Sequence, residues 1–310
     1  MNDLIRELLA GDQRALARLI SRVEDRDPSY REILDRAFPH AGKAYRIGIT
    51  GPPGVGKSTL VDRLVPLLRS DFEKIGVLAC DPTSPFSCGA LLGDRIRLRE
   101  IDQDERVFIR SMATRGAHGG LARAAEDAAT LVEAAGFDLI IFETIGVGQA
   151  EVDIVEAADT IVVVLTPQSG DAVQAMKAGL MEIADIFVIN KSDLGGADLA
   201  LNNLESILSL AEREWSPPLI KAAAHKGEGI KEIKENLDRH REYLEGGLLQ
   251  ERRRARLKAF LKKIIEEELE LRLWSGEGLE ILNGKVEELL ERRTSPYRVA
   301  EEILKEIRRK

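Results

Sequence analysis

Cysteine, aromatic residues and long apolar runs are all scarce in this chain. Its 310 residues include 2 cysteines, and aromatic residues make up 5% of the composition. Two cysteines exclude a disulfide framework and a four-cysteine zinc site. No apolar run approaches the ~20 residues that a membrane-spanning helix needs, and the N-terminus lacks the basic and then apolar order of a secretion signal. We therefore expect a soluble cytoplasmic protein that does not act at a membrane.

Basic residues are outnumbered by acidic ones. The chain contains 45 Lys and Arg residues against 53 Asp and Glu residues, which gives a formal net charge of -8. General nucleic-acid binders usually carry a net positive charge, because phosphate contacts supply much of their affinity. A basic run at 252–258 is followed by acidic residues and is better explained as a solvated or inter-subunit helix face. The sequence thus predicts a protein with no nucleic-acid partner.

Short apolar runs alternate with amphipathic helical stretches through the middle of the chain. The runs are rich in β-branched residues and are continuous rather than alternating, which indicates strands covered on both faces. They span residues 46–50, 76–80, 107–109, 139–142, 161–165, 186–189 and 219–220. Because strands that alternate with helices form parallel sheets, we expect an α/β fold with a doubly wound, mostly parallel sheet.

Helical patterns without strands flank this region on both sides. We expect an N-terminal helical extension over residues 1–42 and a C-terminal helical arm over residues 246–310. The sheet region between them, residues 43–245, would form the main domain. The C-terminal helices are too short for an independent core, so we expect them to dock on the main domain or on a second subunit.

A glycine-rich loop follows the first predicted strand. Its pattern, G-x-x-x-x-G-K-[ST], is that of a P-loop, and the strand before it and the helix after it are the context that this motif requires. Backbone N–H groups at the helix start would bind phosphate oxygens, Lys57 would neutralise the β- and γ-phosphates, and Ser58 would bind Mg²⁺. The nucleotide-binding residues assigned here are Gly51, Pro52, Pro53, Gly54, Val55, Gly56, Lys57, Ser58 and Thr59.

Three acidic residues are candidates to complete the magnesium site. Asp81 and Glu143 lie at predicted strand ends, where open α/β sheets bind their ligands, and Asp94 lies in the segment after Asp81. Carboxylate oxygens are among the ligands that Mg²⁺ prefers. An acidic residue at a strand end can instead be a helix cap or a turn residue, and that alternative stays open for all three.

The second motif is N-K-x-D, and it follows the predicted strand at 186–189. It comprises Asn190, Lys191 and Asp193. The Asp193 carboxylate can accept from N1–H and N2–H₂ of guanine, whereas adenine offers an acceptor at N1 and no 2-amino group. Each unpaired buried group costs ~1–3 kcal/mol, so guanine should be preferred by at least ~10²-fold. Asn190 would tie this loop to the P-loop, and the Lys191 stem would cover the base.

Two further loops complete the predicted site. A backbone N–H near Ala223 and Ala224, after the last predicted strand, could reach the guanine oxygen. In the segment after Glu143, Gly146 can turn its N–H toward a γ-phosphate, and loss of that contact on hydrolysis would release the loop. Gln149 can position the attacking water, although a residue from a partner can do the same. Lys57, Glu143 and Gln149 are thus the candidate catalytic residues, and the roles of Arg110 and Arg115 stay open.

These motifs resemble those of the methylmalonyl-CoA mutase-associated G-protein chaperones of the MeaB/ArgK type. The similarity is close at 51–59, 80–84, 92–94, 119–120, 143–151, 170–171 and 190–193. The string ETIGVGQAE at 143–151 is distinctive, since most GTPases carry D-x-x-G there. The segments 11–18, 294–296 and 300–304 are also similar to the flanks of that family, so the resemblance covers nearly the whole chain.

The resemblance implies a P-loop GTPase domain with helical N- and C-terminal extensions, which binds GTP or GDP with Mg²⁺ and hydrolyses GTP. Because no arginine finger is evident in the sequence, we expect intrinsic turnover to be slow. It implies a chaperone that couples hydrolysis to cofactor delivery to an adenosylcobalamin-dependent acyl-CoA mutase and protects that mutase from inactivation. It also implies a homodimer formed through the C-terminal helices. Asp81, Asp94 and Glu143 match magnesium or switch carboxylates, and Asp171 and Lys177 match a further mobile loop that responds to the nucleotide.

Two segments depart from the family pattern. The base loop usually reads Ser-Ala where this chain has Ala223-Ala224, which removes a side-chain hydroxyl and leaves the backbone contact. Residues 85–88 differ from the polar usage expected there, so the partner-facing details of that segment are not defined by the resemblance.

Two other functions compete with this interpretation. An ATP-dependent kinase or ATPase associated with lysine, arginine and ornithine transport, a name that some relatives carry, would prefer ATP, and Asp193 argues against that preference. A metallochaperone GTPase would also carry a P-loop, but the 4 histidines of this chain are scattered without metal-binding spacing.

Overall fold

The structure, a computed structural model, describes residues 2–81, 101, 104–113, 120–144, 157–167, 179–209, 214–274 and 277–308. The chain forms two compact units, Met1–Arg254 and Ala255–Lys310. The three-part division with boundaries at residues 42 and 245 stays a prediction. Within the described residues, no helix is both long enough and apolar enough to cross a bilayer.

Seven parallel strands form a single sheet in the first unit. They are β1 (Tyr45–Thr50), β2 (Ile75–Asp81), β3 (Val107–Ala113), β4 (Leu139–Thr144), β5 (Thr160–Leu165), β6 (Ile186–Ile189) and β7 (Leu219–Lys221). Their order across the sheet is β3-β2-β4-β1-β5-β6-β7, and every neighbouring pair is parallel. Each predicted apolar run lies within one of these strands, which confirms the doubly wound parallel sheet.

Helices precede, connect and follow the strands. Those of the first unit are α1 (Asn2–Leu9), α2 (Gln13–Glu24), α3 (Tyr30–Ala37), α4 (Lys57–Leu68), α5 (Gly120–Ala134), α6 (Leu180–Ile183), α7 (Ala197–Leu208) and α8 (Ile230–Tyr243). Short 3₁₀ helices lie at Phe38–His40, Ser192–Leu194 and Ala224–Lys226, and a π-helical turn, Leu244–Leu248, precedes α9 (Leu249–Trp274). The second unit contains α10 (Glu277–Leu290) and α11 (Pro296–Arg308).

Apolar side chains cover the sheet on both faces. Along β4, Leu139 and Ile141 pack in one apolar cluster with α4 and α8, whereas Ile140 and Phe142 pack in a second cluster with α5 and the N-terminal helices. All four side chains are fully buried. Because alternate residues of a strand point to opposite faces, burial on both sides requires the continuous apolar run seen in the sequence.

Buried ion pairs join the sheet to the helices of the second cluster. Arg46 of β1 donates to Glu126 and Glu133 of α5, at 2.7 Å in each case. Arg110 of β3 pairs with Glu24 of α2. The structure therefore assigns Arg110 to the packing of α2 against an edge strand and not to the phosphate site. Arg115 lies outside the described residues.

The beginning of α9 is also bound to the sheet. Arg252 donates to Asp185 through both terminal nitrogens, at 3.0 and 2.9 Å. Arg253 donates to the carbonyl oxygens of Gly42 and Ala44 at 3.1 and 2.9 Å. The expectation that the basic run forms only a solvated or inter-subunit face is wrong for these two arginines, because carboxylate and carbonyl oxygens at the amino ends of the strands accept from them.

Candidate nucleotide-binding site

The glycine-rich loop lies at the carboxyl ends of the parallel strands. It leaves β1, which pairs with β4 on one side and β5 on the other, and α4 begins at Lys57. This is the edge and the point of reversed strand order at which open α/β sheets bind ligands. A cavity of about 460 Å³ lies here, lined by Pro53, Gly54, Gly56, Lys57, Ser58, Thr59 and Glu143.

The ammonium of Lys57 lies over the loop. Its Nζ atom donates to the carbonyl oxygens of Gly51 at 2.6 Å and Pro52 at 2.9 Å, and the residue is buried. Phosphate oxygens are stronger, anionic acceptors. A triphosphate in the cavity would therefore draw the ammonium away from these neutral carbonyls at little cost in desolvation, since the group is already held out of water.

The structure brings two of the predicted magnesium ligands together. Ser58 Oγ donates to Glu143 Oε1, although 85 residues separate them in sequence, and Glu143 is only 2% exposed. Strand β2 ends at Asp81, whose side chain lies outside the description, as does the whole of Asp94.

The chemistry of this donor pair fits Mg²⁺. A hydroxyl and a carboxylate are hard oxygen donors, and Mg²⁺ is usually held by one or two carboxylates together with substrate phosphates and water. Across the described residues, no three His, Cys, Asp or Glu side chains form a cluster for a metal ion. The pair thus suits a Mg²⁺ ion that also binds nucleotide phosphates.

Asn190 connects three loops of the site. Its Nδ2 atom donates to the Val55 carbonyl oxygen at 2.7 Å, and its Oδ1 atom accepts from the Ala224 N–H at 3.0 Å. Gly56 lies against this amide with φ +95, and a Cβ atom there would overlap Asn190 Nδ2. Only glycine combines this left-handed backbone with so close an approach. The amide therefore fixes the P-loop relative to the loops after β6 and β7.

Lys191 adds a second tie between the base motif and the P-loop. Its Nζ atom donates to the Gly54 carbonyl oxygen at 2.6 Å, and its backbone is left-handed, with φ +57. The Lys191 side chain therefore spans from the loop after β6 to the P-loop. That its stem covers the base stays a prediction.

Asp193 lies in an ion-pair cluster that the sequence did not indicate. Lys226 Nζ is 3.1 Å and His225 Nε2 is 3.5 Å from Asp193 Oδ2, and the Asp193 side chain is 17% exposed. The hydrogen bond from Lys226 holds the pKa of the Asp193 carboxyl below its ordinary value, aided by the charges of Lys226 and His225. In the sequence, its position two residues after Ala224 is the feature that could have indicated a contact between Lys226 and the base motif.

The remaining predicted residues are only partly described. The N–H of Ala223 donates to the Glu228 carbonyl oxygen at 3.1 Å, and that of Ala224 is bound to Asn190. Both groups are thus engaged, and their contact with a guanine oxygen stays a prediction. The predicted switch and water-positioning residues, Gly146, Gln149, Asp171 and Lys177, lie outside the described residues.

Comparison with known proteins identifies the family. A family model described as methylmalonyl Co-A mutase-associated GTPase MeaB matches residues 16–278. The chain belongs to this family. A protein of Pyrococcus abyssi is 48% identical to it over 317 residues, which cover 99% of this chain and 97% of that protein. The GTPase ArgK of Escherichia coli is 36% identical over 284 residues, which cover 88% of this chain and 86% of ArgK.

A solved structure matches nearly the whole chain. The crystal structure of an LAO/AO transport system kinase matches with a TM-score of 0.74 and 29% sequence identity, covering 99% of this chain and 97% of that one. These matches confirm the MeaB/ArgK resemblance that the motifs indicated, and the α/β fold with a P-loop GTPase domain. The chain is a P-loop GTPase of the MeaB family, and its reaction is the hydrolysis of GTP.

Proposed function

We propose that this MeaB-family GTPase is a chaperone of an adenosylcobalamin-dependent acyl-CoA mutase of the methylmalonyl-CoA mutase type. GTP hydrolysis would be coupled to delivery of the cofactor and to protection of the mutase. The observation that carries the proposal is the family match over residues 16–278, because that family is described by its association with methylmalonyl-CoA mutase. The arrangement of the nucleotide site supports it, since the two motifs that such a switch needs lie on adjoining loops.

In the proposed mechanism the chain's own groups bind and orient the triphosphate. The P-loop N–H groups and Lys57 stabilise the charge that develops on the transferring phosphoryl group. Ser58 and Glu143 would hold Mg²⁺, which when bound neutralises charge on the phosphate oxygens. No arginine is among the described residues that line the cavity. We therefore expect slow intrinsic turnover, with any further acceleration supplied by residues 145–150 or by the partner.

Asp193 is proposed to select guanine, and nucleotide competition tests this. Labelled GTP bound to the purified chain should be displaced by GDP but resist an equal concentration of ATP, because adenine would leave the Asp193 carboxylate facing a lone pair. A preference of at least ~10²-fold is expected. Displacement by ATP at equal concentration would instead support the kinase activity named for the solved relative.

Capture of the partner tests the chaperone role. The tagged full chain, loaded with a non-hydrolysable GTP analogue, should retain a cobalamin-dependent acyl-CoA mutase from a lysate of its own organism, identified by mass spectrometry. Retention should differ between the GTP analogue and GDP, because a chaperone driven by hydrolysis must bind its client differently in the two states. Equal or absent retention of any such mutase in both states would contradict this role while leaving the GTPase assignment intact.

We also propose that the C-terminal arm forms a homodimer. Along α9, the four apolar residues Leu257, Leu261, Ile265 and Leu269 recur every four residues and are 47–56% exposed. Such a stripe is one face of a helix, and a second copy of the chain would cover it. Light scattering on the purified chain should give twice its 34.3 kDa mass, whereas a monomeric mass at micromolar concentration would contradict the proposal.

A further inference from the structure

Lys226 is held by backbone hydrogen bonds in a fixed position beside the base motif. It ends the 3₁₀ helix Ala224–Lys226, and its own N–H donates to the Ala223 carbonyl oxygen at 2.8 Å. Backbone bonds connect this turn to the loop of Asp193, since the Ser192 N–H donates to the Ala222 carbonyl oxygen at 3.0 Å. These bonds place the backbone of Lys226 within reach of Asp193, and the ammonium of its half-exposed side chain lies 3.1 Å from Asp193 Oδ2.

The contact leaves the carboxylate free to accept from a base. Each oxygen of an ionised carboxylate has two lone pairs, so the group can accept about four hydrogen bonds. Guanine would use one lone pair on each oxygen, for N1–H and for N2–H₂. Lys226 uses a lone pair of Oδ2. An ammonium on one side of the carboxylate and a purine edge on the other are thus compatible, and the first orients the group for the second.

Of the two basic side chains that face the Asp193 carboxylate, Lys226 is the nearer. Ala223 and Ala224 have methyl side chains and offer no side-chain hydrogen bond. His225 Nε2 is the other group that faces Oδ2, at 3.5 Å, and the imidazole carries a charge only when protonated. A lysine is charged throughout the neutral range. At neutral pH Lys226 is therefore the side chain that chiefly orients the carboxylate, alongside the N–H of Asp193 itself, which also donates to it.

We propose that Lys226 is a positioning residue for guanine selection, which holds the Asp193 carboxylate oriented toward the 2-amino group of the base. This inference rests on the proposed role of Asp193 and adds a residue that lies outside the N-K-x-D motif. Lys226 is not expected to touch the phosphates. Its loss should therefore change the discrimination between bases more than it changes the rate of hydrolysis at saturating GTP.

The test compares GDP with inosine diphosphate, which lacks only the 2-amino group. In equilibrium titrations of the full chain, Lys226→Ala should reduce the GDP-over-IDP affinity ratio by about fivefold, the value of one net hydrogen bond. Lys226→Arg, which keeps a charged donor, should restore most of the ratio. The acid limb of GDP binding should move to higher pH in Lys226→Ala, because the carboxyl loses the contact that favours its ionised form.

Two further variants separate this inference from the function on which it rests. Lys231→Ala removes an exposed lysine of α8 and controls for the change in net charge; a GDP-over-IDP ratio in Lys226→Ala equal to that of Lys231→Ala overturns the inference. Asp193→Ala should abolish the ratio altogether. If Asp193→Ala keeps it, the proposed guanine recognition fails, whereas loss in Asp193→Ala without loss in Lys226→Ala overturns only the role of the lysine.

Discussion

A Lys57→Ala variant should lose GTP hydrolysis by at least ~10²-fold, which is the usual effect of removing one preorganised donor from a developing negative charge. The wild-type ammonium is buried over the P-loop and bound to two carbonyl oxygens, those of Gly51 and Pro52. The backbone N–H groups of the loop remain in the variant, but the positive charge that Lys57 brings to the phosphates is lost. The measurement is phosphate release at saturating GTP, with the affinity for a fluorescent GTP analogue recorded alongside.

A second variant separates the loss of charge from damage to the loop. Lys57→Arg keeps the positive charge, but a planar guanidinium on a different stem does not reproduce the point contact of an ammonium. We expect Lys57→Arg to hydrolyse GTP slowly as well, with a thermal midpoint close to that of the wild type. Hydrolysis in Lys57→Ala within twofold of the wild-type rate, in a protein that unfolds normally, would contradict the assignment of the phosphate site.

The sequence is sufficient for the sheet and for the P-loop, because both depend on local patterns. A strand covered on both faces must be a continuous apolar run, as Leu139–Thr144 illustrates. The P-loop is contiguous in the chain, so the strand before it and the helix beginning at Lys57 follow from adjacent residues. The tie between Asn190 and the P-loop was also predicted, and the bond to the Val55 carbonyl oxygen agrees with it.

Contacts between distant elements could not be predicted in the same way. Lys226 follows a loop that the sequence already marked, but nothing local shows that its ammonium reaches Asp193, because that depends on the pairing of β6 with β7. Arg252 lies in a charged run, and a charged run on a helix is most often solvated. Its partner Asp185 lies directly before a strand, where an acidic residue is most often part of a turn. Only the fold brings the two together.

The free energy of unfolding of an Asp185→Asn variant should be about 3 kcal/mol lower than that of the wild type. Removing one partner of a buried ion pair leaves the other charge buried and uncompensated. Asp185 is 4% exposed. Its Oδ2 atom accepts from the Ile161 N–H at 2.9 Å and from Arg252 at 3.0 Å. Its Oδ1 atom accepts from Arg252 at 2.9 Å and lies 3.2 Å from His240 Nε2. An asparagine side chain at this position would turn its N–H₂ group, a donor, toward groups that themselves donate to the carboxylate.

The loss should depend on pH with a definite sign. Burial alone would raise the pKa of the Asp185 carboxyl, but the contacts with His240 and Arg252 outweigh it and hold the pKa below the ordinary value. A carboxyl with a lowered pKa stabilises the fold fully above its unfolded pKa, near 3.9, and loses that contribution as the pH falls through the folded pKa. The difference between wild type and Asp185→Asn should therefore be larger at pH 7 than at pH 3, and should shrink below about pH 4.

Urea unfolding at pH 7 and at pH 3 measures this difference, and an exposed aspartate provides the control. Asp35→Asn makes the same chemical change on the exposed side of α3, where substitutions usually alter stability by less than about 0.5 kcal/mol. Arg252 lies in the first turn of α9, so loss of its acceptor should also speed amide exchange there. This increase should be larger than any increase in β1. If Asp185→Asn unfolds like Asp35→Asn at pH 7, the carboxylate does not anchor the start of α9, and the bound arginine adds nothing measurable to the fold.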